Sequence, residues 1–388
     1  MKRLQKVSKV GIVCMPDISS GGGGFPKVVR DLIFTLDYLG IEVYLLSPFG
    51  LDIEKITKFY GKFKIKKIYS CSKFKRFFCK EDTLARKVIK KEFKKMAKEV
   101  DLIIDMDGRI LHKYLPKNPP RYIVWRVSPV RSDLDKFPNL HRSYKRKIKD
   151  NIKAVINLKK ERLNDKYDIY PVDNYTRNEL EKYWKIRLKE NLYPGVETDK
   201  FFYDKKLKKN LIIVFGRIAK NKMVDDSIKI FYNGTKKFSN YELIIMGGST
   251  PDSEDYINYL NQLIKGFEIS KRVRIIKNPT FEELREILSQ AKVLIDSQQG
   301  ESITLTSVEA MASGVIVLTS KDCGTWDEVV EKGKWGVGFD DVEDGGRKLE
   351  EILEKLEKEK INPKKFMKRA EFFSRENFIK RIKQIINT

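Results

Sequence analysis

Short apolar runs alternate with amphipathic segments along the first half of the chain. The run at residues 10–15 is followed by four consecutive glycines at 21–24 and by apolar residues at helical spacing between Val28 and Leu36. Further strand-like runs lie at 41–46, 102–104, 122–125 and 154–158. Strands that alternate with helices predict an α/β domain with a parallel, doubly wound sheet.

The same alternation starts again after the sequence Tyr193-Pro194-Gly195-Val196. Apolar runs lie at 211–215, 243–246, 273–276, 293–295 and 315–318, with helical patterns at 226–231 and 281–288 between them. We predict two Rossmann-like domains, at 1–193 and 194–345, whose open sheets face each other across a cleft. Residues 346–388 have the pattern of two charged helices broken near Pro363, which cap the second sheet or cross back to the first domain.

Composition excludes several classes of protein. The four cysteines form no C-x-x-C pair and there are only two histidines, so a zinc site or disulfide framework is not expected. No apolar run approaches the roughly 20 residues of a membrane-spanning helix, and the basic start is unlike a signal peptide. We therefore expect a cytoplasmic protein.

The positive charge is concentrated in the first half of the chain. Residues 1–200 contain 46 Lys and Arg against 25 Asp and Glu, a balance of +21, while the net charge of the whole chain is +25. Such a field attracts anionic or phosphate-rich partners. An acidic or lipid-linked partner is therefore expected on the side of the first domain.

Two basic segments, 73–98 and 141–153, leave two interpretations open. The first mixes Phe74, Phe77 and Phe78 with lysines and arginines, as in an interfacial segment that contacts an anionic membrane. The alternative is an ordinary solvated helix in a lysine-rich chain. Membrane docking would place the protein at the inner face of the membrane. The segment 141–153 would either strengthen this docking or bind the phosphate of the acceptor.

The stretch after the run at 293–295 contains the most informative pattern. It carries Glu301 and Glu309 with seven residues between them, followed by Ala-Met-Ala-Ser-Gly. If a helix begins near Thr304, its first N–H groups and positive dipole end form a phosphate site, with Glu309 about one turn inside. We predict a nucleotide-sugar site here; the alternative is two carboxylates on a surface helix.

A second polar loop follows the run at 211–215. Gly216 permits a close approach of backbone to ligand, Arg217 offers a fork of donors, and Lys222 supplies a compact charge. These cations suit a leaving diphosphate, so we expect no divalent metal and no further cofactor.

With these motifs and Tyr193-Pro194-Gly195-Val196-Glu197, the chain resembles family 4 of the GT-B glycosyltransferases, which retain anomeric configuration and use nucleoside-diphosphate sugars. The resemblance implies that Glu309 binds the ribose, that Glu301 holds the transferred sugar, and that Arg217 and Lys222 neutralise the diphosphate. The other donor-binding residues implied are Gly22, Gly23, Gly216, Ser302, Ile303, Thr304 and Leu305.

The chain departs from the pattern of that family at several positions. Ser302-Ile303-Thr304 stands where the family usually has Gly-Phe-Gly, and Met223 replaces a glycine after the lysine, so a stiffer phosphate loop is expected. Histidines that relatives place after the fourth and fifth strands are missing. We name Asp107 as the acceptor-side catalytic group, with Asp105 and Arg126 as alternatives.

The resemblance implies a retaining hexosyltransferase, which is the function that we predict. Its donor would be a sugar of UDP or GDP, and its acceptor lipid-linked, polyprenyl-phosphate or glycan. One alternative is a catalytically silent homologue that binds nucleotide. Another is a basic nucleic-acid-binding protein, but the aromatic residues are clustered rather than spaced along a groove, so no nucleic acid is expected as a partner.

Overall fold

A computed structural model of the chain describes residues 7–15, 23–48, 64–70, 82–106, 111–129, 166–250 and 253–388. The chain divides into two compact units. One consists of Met1–Gly195 together with Glu376–Thr388, and the other is Val196–Arg375.

The first unit contains a sheet of six described strands. They are β1 (Lys9–Val13), β2 (Glu42–Leu46), β3 (Lys67–Tyr69), β4 (Leu102–Asp105), β5 (Arg121–Arg126) and β6 (Asp168–Pro171), in the spatial order β3-β2-β1-β4-β5-β6. Neighbouring strands are parallel, and the register pairs Val10 with Val43 on one side and with Leu102 on the other. The strand order reverses beside β1, which is where open α/β sheets bind ligands.

The helices of the first unit pack on this sheet. They are α1 (Gly24–Tyr38), α2 (Asp82–Met96), α3 (Asn174–Trp184) and, from the far end of the chain, α10 (Arg375–Asn387). The Phe378 ring of α10 lies 5.5 Å from the Trp125 ring of β5. Arg121 donates to the Ile385 carbonyl at 2.7 Å, so the last helix is held to β5 by both an apolar and a polar contact.

The described end of the first basic segment belongs to α2. Ile89, Phe93 and Met96 are buried in the core of the first unit, while Lys90, Lys91, Lys94 and Lys95 are exposed. These three apolar side chains are therefore covered by protein, and this part of the segment behaves as a solvated helix. Phe74, Phe77, Phe78 and residues 141–153 lie outside the described residues. Within the described ranges, no helix is long and apolar enough to cross a bilayer.

The second unit contains another sheet of six described strands. They are β7 (Leu211–Phe215), β8 (Glu242–Gly247), β9 (Val273–Lys277), β10 (Val293–Asp296), β11 (Ile316–Ser320) and β12 (Val337–Phe339), in the order β12-β11-β10-β7-β8-β9. The strand pairs are parallel. β7 and β10 are neighbours in space, although their paired residues Ile212 and Val293 are 81 positions apart in the sequence.

The helices of the second unit are α4 (Val224–Gly234), α5 (Glu254–Gly266), α6 (Phe281–Gln290), α7 (Leu305–Ala312), α8 (Val342–Glu357) and α9 (Lys364–Glu371). α4 and α8 approach closely because glycines meet at their contact: a Cβ on Gly234 would lie 2.7 Å from the Gly346 carbonyl oxygen. Thr280 begins α6 with a capping box, in which its hydroxyl accepts from Glu283 N–H and the Glu283 carboxylate accepts from Thr280 N–H.

The Pro-Gly sequence at 194–195 marks the passage between the two units. Beyond it, Val196 pairs with Ser374, and Glu197 forms a salt bridge of 2.9 Å with Arg375. These two contacts connect the first residues of the second unit to its last residues, from which the chain continues along α10.

The predicted α/β class with two parallel sheets is confirmed. Sequence analysis missed β3, β6 and β12, and its strand at 154–158 lies outside the described residues. The prediction of two helices in residues 346–388 was wrong: this wholly described segment contains α8, α9 and α10, because the chain breaks again at residues 372–374. α8 and α9 lie in the second unit, and α10 lies in the first.

Candidate active site

The polar residues predicted for donor binding lie at the carboxyl ends of two neighbouring strands, β7 and β10. β7 leads into the loop with Gly216, Arg217 and Lys222, and β10 leads into the loop with Glu301. Because parallel strands end at the same edge of a sheet, the two loops meet there.

The loop after β7 begins with a tight backbone crossing. Gly216 has a φ of 149° and Gly247 a φ of 158°, values in the region that favours glycine. A Cβ on Gly247 would lie 1.6 Å from the Gly216 carbonyl oxygen, so only glycine fits at residue 247. Ile218 is buried and its N–H donates to the Gly248 carbonyl at 2.8 Å, which leaves the neighbouring Arg217 exposed to solvent.

Lys222 joins the two loops. It ends a short 3-10 turn, Lys220–Lys222, and its Nζ donates to Gln298 Oε1 at 2.6 Å. Gln298 is only 3% exposed. Beneath this contact the hydroxyls of Ser227 in α4 and Ser297 lie 2.7 Å apart, so the start of α4 is also tied to the end of β10. The Lys222 ammonium group is therefore held by a side chain from the loop after β10.

Met223 takes an unusual backbone conformation beside Lys222. Its φ of 50° and ψ of 41° place it in the left-handed region, immediately before α4 begins at Val224. A side chain in this region costs about 1–2 kcal/mol, which glycine avoids. The structure thus shows why a glycine suits this position, while the expected stiffening of the loop stays a prediction.

The helix predicted to begin near Thr304 is present as α7, but the contacts of Thr304 were not predicted. Thr304 is the N-cap residue, but its hydroxyl donates to Asp296 Oδ2 at 2.8 Å rather than accepting from the helix backbone. Its N–H, which we expected to reach a phosphate, instead donates to Thr325 Oγ1 at 3.1 Å. The first-turn N–H groups that begin with Leu305 have no partner within a helix, and anion binding at this end stays a prediction.

Asp296 supports this helix end from the carboxyl end of β10. Its Oδ2 also accepts from the Ser307 hydroxyl at 3.1 Å. Burial raises the pKa of its carboxyl group, while the hydrogen bond from Thr304 and the charge of Lys222 act in the opposite direction. The hydroxyl donors and the Lys222 charge thus offset part of the cost of burying the carboxylate.

The two glutamates of the sequence motif differ in environment. Glu309 lies within α7 and is 2% exposed, which excludes the surface-helix alternative for it. Glu301 is partly buried in the loop before α7. Its carbonyl accepts from Gly324 N–H at 2.9 Å, and Gly300 N–H donates to the Asp322 carbonyl at 2.7 Å, so the segment after β11 holds its backbone. Ser302 and Ile303 lie in this same loop.

Only some of the candidate site residues of the first unit lie in the described part of the chain. Gly22 and Asp107 lie outside the described residues, and Gly23 directly precedes α1 with a φ of 123°. Asp105 is 1% exposed and accepts a hydrogen bond from the Tyr122 hydroxyl. Arg126 is also buried, with its guanidinium 5.6 Å from the Trp184 ring. Both alternatives to Asp107 therefore lie in the interior of the unit.

Sequence analysis missed Gln298, Asp296 and Thr325 as members of the site. Asp296 and Gln298 directly follow a predicted strand, so the rule that ligands bind beyond the carboxyl ends of strands could have identified them. Thr325 is 21 residues from Thr304, and nothing local marks it. Among the described residues, no group of three or more His, Cys, Asp or Glu side chains could hold a metal ion.

Residues 195–371 match the protein family described as Glycosyl transferases group 1. This segment is slightly less than half of the chain, and it contains both loops and α7.

Two curated proteins are related over shorter stretches. The GDP-Man:Man(3)GlcNAc(2)-PP-Dol alpha-1,2-mannosyltransferase of Dictyostelium discoideum is 24% identical over 233 residues, which are 55% of this chain and 46% of that protein. The O-antigen chain mannosyltransferase of Salmonella typhimurium is 31% identical over 140 residues, 36% of this chain and 37% of its own. The chain thus spans less than half the length of either relative.

The solved structures include close matches in fold. The crystal structure of HepE from Anabaena in complex with UDP and glucose matches with a TM-score of 0.72 and 13% identity, covering 98% of this chain and 99% of its own. At that identity the likeness concerns the fold alone, and it confirms the predicted GT-B class.

Proposed function

We propose that the chain is a retaining glycosyltransferase that moves a sugar from a nucleoside-diphosphate sugar to a lipid-linked, polyprenyl-phosphate or glycan acceptor. The observation that carries the proposal is the contact between Lys222 Nζ and Gln298 Oε1. It brings a cation from the end of β7 to the end of β10, beside the start of α7. Residues 195–371, which match the glycosyltransferase family, contain this contact.

The chemistry requires that negative charge be stabilised as the diphosphate leaves. Lys222 and Arg217 supply cations, and the first-turn N–H groups of α7 supply aligned dipoles. A leaving group stabilised in this way does not need a divalent metal. Glu309 would accept from the ribose hydroxyls, and Glu301 from hydroxyls of the transferred sugar, as the resemblance to family 4 implies.

Retention follows if the acceptor attacks from the face that the diphosphate leaves. The bond between the anomeric carbon and the diphosphate oxygen breaks, and a bond to the acceptor oxygen forms on the same face. The acceptor hydroxyl proton passes to the departing diphosphate oxygen. Most of the rate would then come from positioning and charge stabilisation. Asp107 stays the proposed acceptor-side group.

An acidic acceptor suits the first unit. Residues 1–200 have a charge balance of +21, and the exposed lysines of α2 present part of it to solvent. The names of the two curated relatives include a dolichol-linked glycan and an O-antigen chain as acceptor or product. We therefore also propose that a lipid phosphate can serve as the acceptor and that the protein is located at the cytoplasmic face of a membrane.

A panel of UDP, GDP and their sugars tests the donor. A bound nucleotide stabilises the folded protein by mass action, about 2.7 kcal/mol at a concentration one hundred times the Kd. We expect thermal denaturation to shift upward for one of the two nucleotides. No shift with any member of the panel would refute the donor assignment.

Lys222→Ala tests the site itself, and Lys220→Ala is its matched control. Lys220 is an exposed lysine of the same turn, so its replacement removes the same charge without touching Gln298. We expect Lys222→Ala to lose the nucleotide-dependent shift and the transfer of labelled sugar to polyprenyl phosphate, while Lys220→Ala retains both. Full transfer by Lys222→Ala would overturn the proposal. Binding without transfer in the wild type would favour the silent homologue.

A further inference from the structure

A network of side chains lies beneath the start of α7. Asp296 Oδ2 accepts from the hydroxyls of Thr304, at 2.8 Å, and Ser307, at 3.1 Å. The Thr304 hydroxyl lies 3.0 Å from the Thr325 hydroxyl, which also accepts from Thr304 N–H at 3.1 Å. The end of β10, the first turn of α7 and the π-helical turn Thr325–Val329 are joined through these contacts.

The protons of this network can be assigned consistently. Each hydroxyl has a single proton to donate and can accept through its lone pairs. Ser307 donates to the Asp296 carboxylate, and the single hydroxyl proton of Thr304 is shared between Asp296 and Ser307 Oγ, which lies 2.7 Å away. Thr325 donates to the Thr304 hydroxyl and accepts from Thr304 N–H. This network is partly buried, and a polar network that is shielded from water and whose members are satisfied rigidifies its surroundings. Asp296 is the acceptor on which it converges.

The network changes what Thr304 does at the helix start. An N-cap threonine ordinarily accepts from one of the first N–H groups of its helix. Here the hydroxyl is directed to Asp296, so that it does not occupy the N–H groups that face an anion. Family 4 usually has glycine at the position of Thr304. The threonine side chain therefore adds contacts at a position where that family usually has no side chain.

We propose that Asp296 is a positioning residue of the donor site. By holding the hydroxyls of Thr304 and Ser307, it fixes the first turn of α7 in the orientation that a diphosphate requires. The carboxylate acts through Thr304 and does not itself contact the donor. This inference rests on the proposed function of the same site.

Three variants of the full-length chain test it. Asp296→Leu has a similar shape but lacks acceptors, while Asp296→Asn keeps an amide oxygen that can accept. Thr304→Val removes the hydroxyl alone and serves if Asp296→Leu fails to fold. The two measurements are backbone hydrogen exchange over residues 302–308 without ligand, and steady-state transfer with the nucleotide sugar that stabilises the wild type.

We expect Asp296→Leu and Thr304→Val to exchange about tenfold faster over 302–308 and to raise the KM for the donor about tenfold, with kcat within about threefold of wild type. Asp296→Asn should recover most of both effects. A purely structural role would lower Vmax with the folded fraction and leave KM unchanged, because the remaining folded molecules bind normally.

The outcomes separate the two claims. Unchanged exchange over 302–308, or faster exchange with an unchanged KM, overturns the role of Asp296 while the proposed function stands. A wild-type protein that binds no nucleotide sugar overturns the proposed function, and the positioning role falls with it.

Discussion

Replacing Lys208 by methionine would remove a partly buried ammonium group that ties together two helix ends of the second unit. Its Nζ donates to the Ala291 carbonyl at 2.7 Å, just beyond α6, and to the Ser313 carbonyl at 2.8 Å, just beyond α7. Both carbonyls lie at the negative end of a helix dipole, where a cation is favoured. Lys208 thus anchors the end of α7 opposite the candidate site.

The cost of the substitution follows from the two carbonyls. A buried acceptor that loses its donor costs about 1–3 kcal/mol, so the pair amounts to about 2–6 kcal/mol before any relaxation. Local relaxation around the methionine side chain recovers part of this loss. We expect Lys208→Met to lower the unfolding free energy of the second unit by about 2–4 kcal/mol near pH 9.

The loss should depend on pH. Burial lowers the pKa of the Lys208 ammonium to about 7, and the charge of Lys292 acts in the same direction. In the unfolded chain the pKa returns to about 10.4, so the folded protein binds fewer protons between about pH 7 and pH 10. The unfolding free energy of the wild type therefore rises with pH in this window, by at most about 1.4 kcal/mol per unit. The variant lacks this rise, so its deficit is smallest near pH 6.

Urea denaturation at about pH 6, 7.5 and 9 measures the difference, and hydrogen exchange in α6 and α7 assigns the transition to the second unit. Lys209→Met is the matched control, because Lys209 is adjacent and exposed. It should have little effect at any pH. Parallel stabilities of wild type and Lys208→Met across the three pH values would refute the buried-charge reasoning. Equal stabilities near pH 9 would refute the hydrogen-bond estimate.

Three further substitutions test other parts of the structure. Met223→Gly should raise the unfolding free energy by about 0.5–1 kcal/mol because it relieves a φ of 50°; a thermal midpoint below that of wild type would contradict this. Gly234→Ala should lower the unfolding free energy by about 1–3 kcal/mol, since its Cβ would lie 2.7 Å from the Gly346 carbonyl oxygen. Gly266→Ala is the control and should be tolerated, because its Cβ meets open space among the described residues. Equal thermal midpoints for the two variants would contradict the packing argument. Glu309→Gln should weaken nucleoside-diphosphate binding about tenfold in calorimetric titration but leave pyrophosphate binding unchanged, as expected of a ribose ligand; equal losses for both would count against that role.

The regular parts of the fold could be predicted because their signals are local. The apolar runs of β7 and β10 stand between amphipathic segments, and the period of each segment depends only on its own residues. β3 and β12 were missed because each has only three residues, too few for a period to emerge. β6 is four residues long and ends in a proline, which weakens its strand signal.

Sequence alone also supplied the prediction of a donor site, because residues such as Glu309 and Lys222 follow strand ends in a recognisable order. Only the tertiary structure decided which groups meet. The pairing of β10 with β7 brings Lys222 to Gln298 across 76 residues of sequence, and the neighbouring β11 brings Thr325 to Thr304. Hydrogen bonds depend on distances of about 3 Å, and such distances are set by strand order and register, which no local pattern encodes.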